Sequence, residues 1–249
     1  DKTNIDMTNR AAILRRLKRK AIQPASADRL ERPIEDEEVR KIMDNLPLAK
    51  QAGPNRIPNE VYRCMSSYFA PKLASILRDV ASGKCELPKE MLEGDICVLY
   101  KKNSRLDARH YRPLTMLNTD YKVFTKVLAN RLKTVVHEFV SSMQKGFVPD
   151  VFIAECTMAL NMIEAHINEE PETRKGAFLF LDMEKAFDRV SYSFLNEALG
   201  ELGFGPSFKR AVGAMYNVNR PPKRRVLANG YYSDWFPISS GVAQGCPLS

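Results

Sequence analysis

The sequence lacks the cysteine and histidine patterns that build disulfide frameworks, zinc sites and Cys-His nucleophiles. It has five cysteines, an odd number, with no CxxC pair, and its three histidines lie far from one another and from the cysteines. These residues are Cys64, Cys85, Cys97, Cys156 and Cys246, and His110, His137 and His166. With no secretory signal ahead of them, the cysteines are typical of reduced thiols in an intracellular protein.

Long apolar runs are also missing, since none approaches the length that spans a membrane. The sequence therefore predicts no membrane partner. Acidic residues are in the minority, with 38 Lys and Arg against 30 Asp and Glu, which gives a formal net charge of +8 and a pI near 9.2. This excess favours association with polyanions, nucleic acid first, although a solvated basic surface fits the net charge equally well.

The composition that is present suits a globular protein of one large domain or two, with 249 residues, 44% hydrophobic and 27% charged. Residues 11–20 predict a helix with a dense cluster of cations. A nucleic-acid-binding arm, a nuclear address and a solvated helical face all fit this helix. Residues 23–28, which contain Pro, Ser and Ala, predict a linker, and the main domain is predicted to start near Pro33.

Hydrophobic periodicity predicts further helices over residues 36–45, 59–82, 121–139, 153–167, 193–202 and 207–216. The helix over 59–82 should bury a stripe made of Val61, Met65, Tyr68, Leu73, Ile76 and Leu77. The helix over 121–139 should turn inward Val123, Phe124, Val127, Leu128, Leu132 and Val135. A turn is expected at residues 52–55 and a loop at residues 168–174.

Strands are predicted at residues 95–100 and 177–181. The second is continuously apolar, as expected for a strand covered on both faces. The pair Arg112-Pro113 is predicted to interrupt regular structure. Residues 223–228 and 232–238 predict a hairpin across Asn229-Gly230, a favoured tight-turn dipeptide. Helices and strands together predict an α+β fold.

Asp182 is the first candidate for chemistry, because it follows the apolar run of residues 177–181 and a carboxylate at the end of a buried strand is accessible to metal and substrate. A strand-end aspartate is more often a helix cap or a turn former. Asp188 lies six residues later, but nothing else in the sequence is typical of a glycosidase with two acidic groups.

Five sequence blocks resemble, in order, parts of the reverse transcriptases of non-LTR retrotransposons of the long interspersed element type. The blocks are AKQAGPNRIPNEVY (49–62), VLYKKNSRLDARHYRPLTMLNTDYKVFTKVLANRL (98–132), QKGFVPD (144–150), LDMEKAFDRV (181–190) and SGVAQGCPLS (240–249). They are similar to the fingers lead-in, the first two fingers motifs, the segment after them, motif A and motif B. Blocks in this order over about four fifths of the chain are far more specific than one short motif.

The resemblance implies RNA-directed DNA synthesis by two-metal phosphoryl transfer, with Mg²⁺ as cofactor. It implies deoxynucleoside triphosphates as substrates and an RNA template and a nucleic-acid primer as partners. Asp182 matches the catalytic carboxylate that binds metal, and the Met183 backbone carbonyl a further metal ligand.

The resemblance also assigns residues to the incoming nucleotide. Lys101 and Arg112 match the fingers cations that bind its triphosphate, with Lys102 as the register alternative to Lys101. Phe187 matches the aromatic ring that excludes a 2′ hydroxyl. Motif B's pair, Gln244 and Gly245, matches the lining of the nucleotide pocket.

The sequence departs from the family pattern at three places. The family often has Asp-Gly after the Gly-Pro of the lead-in, where this chain has Asn55-Arg56, and Gly-Arg after the phenylalanine block, where it has Asp150-Val151. Motif C, an aromatic-Ala-Asp-Asp hairpin that follows motif B, has no counterpart, and no Asp-Asp pair occurs in the 249 residues. The expectation is therefore a fragment that is inactive alone.

The predicted architecture is a polymerase right hand, with a helix-rich fingers region and the first part of the palm sheet. Residues 1–32 form a basic helix and linker, 33–175 the fingers with their first two motifs, and 176–249 the start of the palm with motif A, a returning fingers hairpin and motif B. The resemblance implies a nuclear protein. Two alternatives stay open: a noncatalytic nucleic-acid-binding module and a group II intron maturase-like protein, against which KAFD (185–188) and LNTDYK (117–122) argue.

Overall fold

The computed structural model describes residues 7–169 and 177–249 and combines helices with one mixed sheet, which confirms the α+β class. The helices in this part of the chain are α1 (Met7–Lys18), α2 (Pro24–Glu31), α3 (Asp36–Asp44), α4 (Asn59–Cys64), α5 (Ser66–Ser82), α6 (Thr119–Lys133), α7 (Val136–Phe139), α8 (Ala154–Glu169), α9 (Tyr192–Glu201) and α10 (Pro206–Met215). None of these helices combines the length and the apolar composition that a membrane crossing requires.

The sheet has the order β2-β1-β3-β4, with β5 also paired to β3. Its strands are β1 (Gly94–Tyr100), β2 (Tyr111–Leu117), β3 (Lys223–Ala228), β4 (Tyr231–Tyr232) and β5 (Phe236–Pro237). β1 is antiparallel to β2 and parallel to β3. The hairpin predicted across Asn229-Gly230 is confirmed, and both turn residues have positive φ, 50° and 83°, as a tight hairpin turn requires.

The prediction that Arg112-Pro113 interrupts regular structure is wrong, because both residues lie within β2. β2 is the edge strand of the sheet, so only one of its sides pairs with β1. The Thr115 N–H points away from β1, since it donates to the Gln244 carbonyl at 2.9 Å. Pro113, two residues earlier, has the same orientation, so its missing N–H removes no bond of the β1–β2 ladder.

The core lies where α3, α5 and α6 meet. The predicted inward face of the chain after residue 121 is confirmed: Val123, Phe124 and Val127 are fully buried, and Leu128 and Val135 nearly so. They pack in one cluster with Val39 and Met43 of α3 and with Leu77 of α5.

The stripe predicted for residues 59–82 is mostly wrong. Val61, Met65, Tyr68 and Ile76 are exposed, and only Leu77 is fully buried, with Leu73 packed at the edge of the core. The helix is broken at Met65, whose φ of −113° and ψ of 28° are not helical, so α4 and α5 do not share one face. On α5 the small residues Ala70 and Ala74 face the core, because α3 packs closely against them.

The linker predicted at residues 23–28 is also wrong, because α2 begins at Pro24. Proline is favoured at the first helical position, where its missing N–H costs nothing. Leu30 is buried in the main core, and the Glu31 carboxylate accepts the N–H groups of Ser207 and Phe208 at 2.9 Å each, at the start of α10. α2 is therefore part of the folded body.

The apolar run of residues 177–181 forms no strand. Leu179, Phe180 and Leu181 are about four-fifths exposed, at 82%, 77% and 84%. In the described residues no strand pairs with this segment, and an apolar sequence without a pairing partner does not make a sheet strand. The helix α8, predicted over 153–167, is confirmed, but it too has no buried residue. Of the loop predicted at 168–174, residues 168 and 169 are helical and the rest lie outside the described residues.

Two of the departures from the family pattern put another residue where glycine is often found, and both lie where the backbone is left-handed. Arg56 and Asp150 stand where the resembled family often has glycine, and both have a φ of 58°, in the left-handed region. Glycine adopts this conformation readily, aspartate with some ease and arginine rarely. The lead-in turn around Arg56 is confirmed, with the Arg56 N–H donating to the Gly53 carbonyl at 2.9 Å. The chain therefore keeps the backbone path that glycine would allow.

Candidate nucleotide site

Motifs A and B lie side by side. The Phe187 carbonyl accepts the Val242 N–H at 2.9 Å, and the Val190 carbonyl accepts the Gly241 N–H at 2.8 Å. The Ser240 hydroxyl adds a hydrogen bond to the Asp188 carbonyl at 3.3 Å. The sequence places these segments more than fifty residues apart, so the fold brings together what the motifs predict to be one site.

Gly241 is required by this contact. Its φ is 86°, and a β-carbon there would lie 2.8 Å from the Cα and from the carbonyl oxygen of Asp188. Any side chain would push the two motifs apart.

Gln244 and Gly245 join motif B to the fingers sheet. The Gln244 carbonyl accepts the Thr115 N–H at the free edge of β2. Gly245 has a φ of 118°, and a β-carbon on it would lie 2.7 Å from the Thr115 carbonyl oxygen. Gly245 therefore packs closely against the backbone of β2, and its place in the nucleotide pocket stays a prediction.

Lys101 and Arg112 lie on the projecting end of the β1–β2 hairpin. Arg112 pairs with Leu99, and the Lys101 N–H donates to the His110 carbonyl at 2.9 Å, which continues the ladder by one residue. Because side chains alternate along a strand, Lys101, Leu99 and Arg112 share one face. Both cations are exposed, and neither makes an ion pair within residues 7–169 and 177–249. Lys102 follows in a bend beyond the ladder.

Phe187 is half-buried beside Phe147, with the two rings edge-on and their centroids 6.1 Å apart. Phe147 is otherwise 97% exposed. The block at residues 144–150 thus lies next to motif A, and Phe187 is not enclosed by a hydrophobic core. No sequence pattern predicts this contact.

Asp182 and Met183 are exposed and lie in the segment without regular structure. In the part of the chain that the structure describes, no three Asp, Glu, His or Cys side chains are close enough to hold a metal ion. Glu184, the nearest acidic residue in sequence, pairs with Arg189 at 3.3 Å. Two divalent ions need several carboxylates close together, so the described residues do not form a complete metal centre.

A cluster of buried polar side chains packs against Cys246 of motif B. The Tyr216 hydroxyl contacts the Cys246 sulfur at 4.0 Å, and the Tyr192 and Tyr216 rings are 5.4 Å apart. Burial raises the pKa of Tyr192 to about 12. It also raises the pKa of Tyr121 and that of Tyr216 well above the usual range of a tyrosine. Arg224 is buried with them and donates to the Leu92 carbonyl at 2.6 Å, while its burial lowers its pKa. The phenols therefore stay neutral at physiological pH, and the guanidinium is the one charge in the cluster.

Two arginines of β3 have roles that the sequence did not reveal. Arg225 binds Asp95 of β1 at 2.7 Å and lies over the rings of Tyr232 and Trp235, 3.9 and 4.5 Å from their centroids. It therefore clamps the parallel pair β1–β3. Side chains alternate along β3, so Arg224 is buried while its neighbour Lys223 is exposed.

Comparison with known proteins agrees with the motifs. A family model described as reverse transcriptase (RNA-dependent DNA polymerase) matches residues 100–249. The chain is 31% identical over 225 residues to the Transposon TX1 uncharacterized 149 kDa protein of Xenopus laevis, covering 89% of this chain and 16% of that protein. It is 29% identical to the RNA-directed DNA polymerase from mobile element jockey of Drosophila melanogaster, covering 85% and 23%. It is 26% identical to the retrovirus-related Pol polyprotein from type-1 retrotransposable element R2 of Nasonia vitripennis, covering 88% and 20%. The chain thus spans less than a quarter of the length of these three relatives.

Proposed function

This chain belongs to the reverse transcriptase (RNA-dependent DNA polymerase) family, and we propose on that basis that it forms the fingers and front palm of a retrotransposon polymerase that copies RNA into DNA. The resemblance to the reverse transcriptases of non-LTR retrotransposons is confirmed. The division into fingers at residues 33–175 and palm from residue 176 is part of the proposal, and its boundary falls among residues that the structure does not describe.

The contact between motif A, motif B and β2 carries this proposal. Phe187 is bonded to Val242, Gln244 to Thr115, and Arg112 lies three residues before Thr115 on the same strand. Residues that the family assigns to the sugar, the pocket wall and the triphosphate of one nucleotide therefore lie on adjoining segments. If these residues only formed a solvated surface, their position on adjoining segments would not be expected.

The cations of the hairpin suit a triphosphate. Lys101 and Arg112 share a face, are exposed and have no acidic partner in the described residues, so their charges are available to an anion. Arg112 can offer two parallel hydrogen bonds to phosphate oxygens, and Lys101 a point charge.

Members of this family are generally dependent on a divalent metal, and we infer Mg²⁺ for this protein. Asp182 and the Met183 carbonyl would contribute to its binding, together with carboxylates from outside the described residues. When bound, the metal would stabilise the charge that develops on the transferred phosphoryl group. Oxygen ligands such as these are the ones that Mg²⁺ prefers.

Primer extension tests the function. A polymerase that carries this chain and the missing carboxylates should extend a primer annealed to RNA, with deoxynucleoside triphosphates and Mg²⁺. The control is the same protein without template. A protein that binds nucleic acid but extends no primer would instead support the second candidate, the noncatalytic binding module, which is favoured by the lack of three neighbouring metal-ligating side chains among the described residues.

Phe187 should set the preference for deoxynucleotides. In the active polymerase, Phe187→Val is expected to raise the use of ribonucleotides relative to deoxynucleotides by about tenfold, which corresponds to about 1.4 kcal/mol of lost steric discrimination. The measurement is kcat/KM for each nucleotide type. Because Phe187 is only half-buried, the variant should remain folded, and thermal unfolding checks this.

Phe147→Val is the matched control, since it removes the neighbouring ring of the pair and leaves Phe187 in place. If Phe187→Val were folded and active but kept the original preference for deoxynucleotides, Phe187 would not contact the sugar of the incoming nucleotide.

We also infer that the protein acts in the nucleus, which the family and the cations of residues 15–20 support. A fluorescently tagged protein that stays outside the nucleus would contradict this.

A further inference from the structure

A cleft of about 640 Å³ runs along α10, between one side of α9 and the end of α5. Its volume is within the range of about 300–1,000 Å³ that is usual for ligand pockets. None of the residues assigned to the metal or to the incoming nucleotide lines it, so it is separate from the candidate nucleotide site. We call it the α10 cleft, because Lys209, Arg210 and Gly213 of that helix form one of its sides.

Two cations of the cleft have no acidic partner. The Lys209 side chain is half-buried and makes no ion pair or hydrogen bond within residues 7–169 and 177–249. Arg210 donates from Nε to the Ala81 carbonyl at 2.8 Å, which fixes the side chain and leaves its two terminal amino groups available. Glu86 is the acidic residue of the lining, and it already pairs with Arg220 at 2.7 Å. The cleft therefore carries two uncompensated positive charges.

The end of α9 offsets only part of the charge on Lys209. A β-carbon on Gly200, in the last turn of α9, would lie 3.2 Å from the Lys209 ammonium, so the two are close neighbours. The C-terminus of a helix carries roughly half a negative charge, which holds the ammonium in place without neutralising it. Most of its charge stays available to an anion.

Gly213 leaves the α10 side of the cleft open. It lies inside the helix, where alanine would be more favourable, and a β-carbon on it would meet no atom within 4 Å. A ligand can therefore approach the backbone of α10 closely at this point. Val80 and Leu87, from the end of α5 and the loop after it, add apolar surface, and so does the exposed Val218.

Asparagines on two sides of the cleft present free amide groups. Asn196 of α9 and Asn219, which follows α10, are exposed, and neither side chain makes a hydrogen bond in the part of the chain that the structure describes. Each amide offers both donors and an acceptor. This combination matches the alternating N–H and C=O groups of a peptide main chain.

We propose that the α10 cleft binds an acidic peptide segment of a partner protein. The carboxylates of the segment bind Lys209 and Arg210, and the arginine can offer one of them two parallel hydrogen bonds. Its main chain lies between Asn196 and Asn219, and an apolar side chain fills the space beside Gly213. The proposal does not depend on the polymerase function.

The aromatic residues of the cleft do not suit a nucleic acid. Base stacking needs an open ring face, whereas Tyr192 and Tyr216 are only 4% and 9% exposed and pack against each other with centroids 5.4 Å apart. A single strand also brings a phosphate with every nucleotide, but the free cations of the lining are two adjacent residues on one helix. A peptide with one or two carboxylates matches this charge better.

The test is equilibrium binding of this chain to a short fluorescein-labelled peptide that repeats Asp-Leu-Glu-Gly, measured by fluorescence anisotropy. The neutral counterpart has Asn and Gln in place of Asp and Glu. Two cleft variants act through different causes: Lys209→Met/Arg210→Met removes the charge, and Gly213→Leu fills the open side while favouring the helix. The control is Lys89→Met/Lys133→Met, which removes the same charge from exposed positions outside the cleft.

Wild type is expected to bind the acidic peptide about tenfold more tightly than the neutral one, and each cleft variant to lose about tenfold in affinity. The control should stay within about twofold of wild type, because exposed charges outside the cleft are screened by salt. Undetectable binding of the acidic peptide, equal binding of the neutral peptide, or an equal loss in the control would overturn the proposal. Thermal unfolding shows which variants are folded, and either cleft variant alone is sufficient for the test.

A single-stranded RNA is the second probe. Its affinity should be the same in wild type and in both cleft variants. If the cleft variants lost RNA and peptide affinity in parallel, the cleft would be a nucleic-acid site and the proposal would be overturned. This binding needs no catalysis, so a protein that extends no primer would contradict the polymerase proposal alone.

Discussion

Replacing Asp182 by alanine is expected to reduce DNA synthesis by about a thousandfold or more in a polymerase that carries this chain. That factor corresponds to about 4 kcal/mol of transition-state stabilisation. The physical reason is that Asp182 is exposed and matches the carboxylate that would bind the metal, whereas Glu184, two residues later, pairs with Arg189. Primer extension under single-turnover conditions measures the change.

Template binding should be almost unchanged in the same variant, since the removed charge is negative and phosphates are bound by cations. Glu184→Gln is the matched control, because it neutralises an exposed carboxylate two residues away and should retain synthesis within about threefold. Activity of Asp182→Ala within tenfold of wild type would show that the assignment of motif A is wrong.

Gly245→Ala is expected to destabilise the chain by about 2–4 kcal/mol, or to detach motif B from β2. The residue has a φ of 118°, which a side chain strains by about 1–3 kcal/mol, and the new β-carbon would lie 2.7 Å from the Thr115 carbonyl oxygen. Because that oxygen belongs to the backbone, it cannot rotate away as a flexible side chain would. Thermal unfolding measures the loss of stability, and hydrogen exchange of the Thr115 amide reports the broken contact with Gln244.

Substitutions at two other glycines distinguish the effect of backbone strain from that of the close approach to Thr115. Gly230→Ala keeps the backbone strain, with a φ of 83°, but meets no atom within 4 Å, so it should cost only about 1 kcal/mol. Gly213→Ala lies inside α10 in open space and should stabilise the chain by up to about 1 kcal/mol, because alanine favours a helix. If Gly245→Ala cost no more than Gly230→Ala, the close approach to β2 would not exist in solution.

Local patterns predicted the elements whose cause is local. The hairpin at Asn229-Gly230 follows from two residues that tolerate positive φ, and the face of α6 from the spacing of Val123, Phe124 and Val127. Prediction from the sequence failed where contacts with other elements determine the local structure. The turn at Met65 breaks the predicted helix and changes which side of α5 is buried, and the edge position of β2 is what admits Pro113 to a strand.

The contacts around the candidate site could not be predicted from the sequence. Motif resemblance selected Phe187, Gln244 and Gly245, yet no pattern in one sequence gives the bond from Thr115 to Gln244 or the ring contact of Phe147 with Phe187. Such contacts join residues that are far apart along the chain, so they depend on the folded topology.

The left-handed residues Arg56 and Asp150 stand at the two positions where the resembled family often has glycine. Both have a φ of 58°, a torsion angle that glycine adopts readily and a bulky side chain rarely. A glycine at either position would therefore follow the same bend of the main chain without strain. The mismatch at Asn55-Arg56 and Asp150-Val151 is thus one of side chain, in a backbone that both residue types can follow.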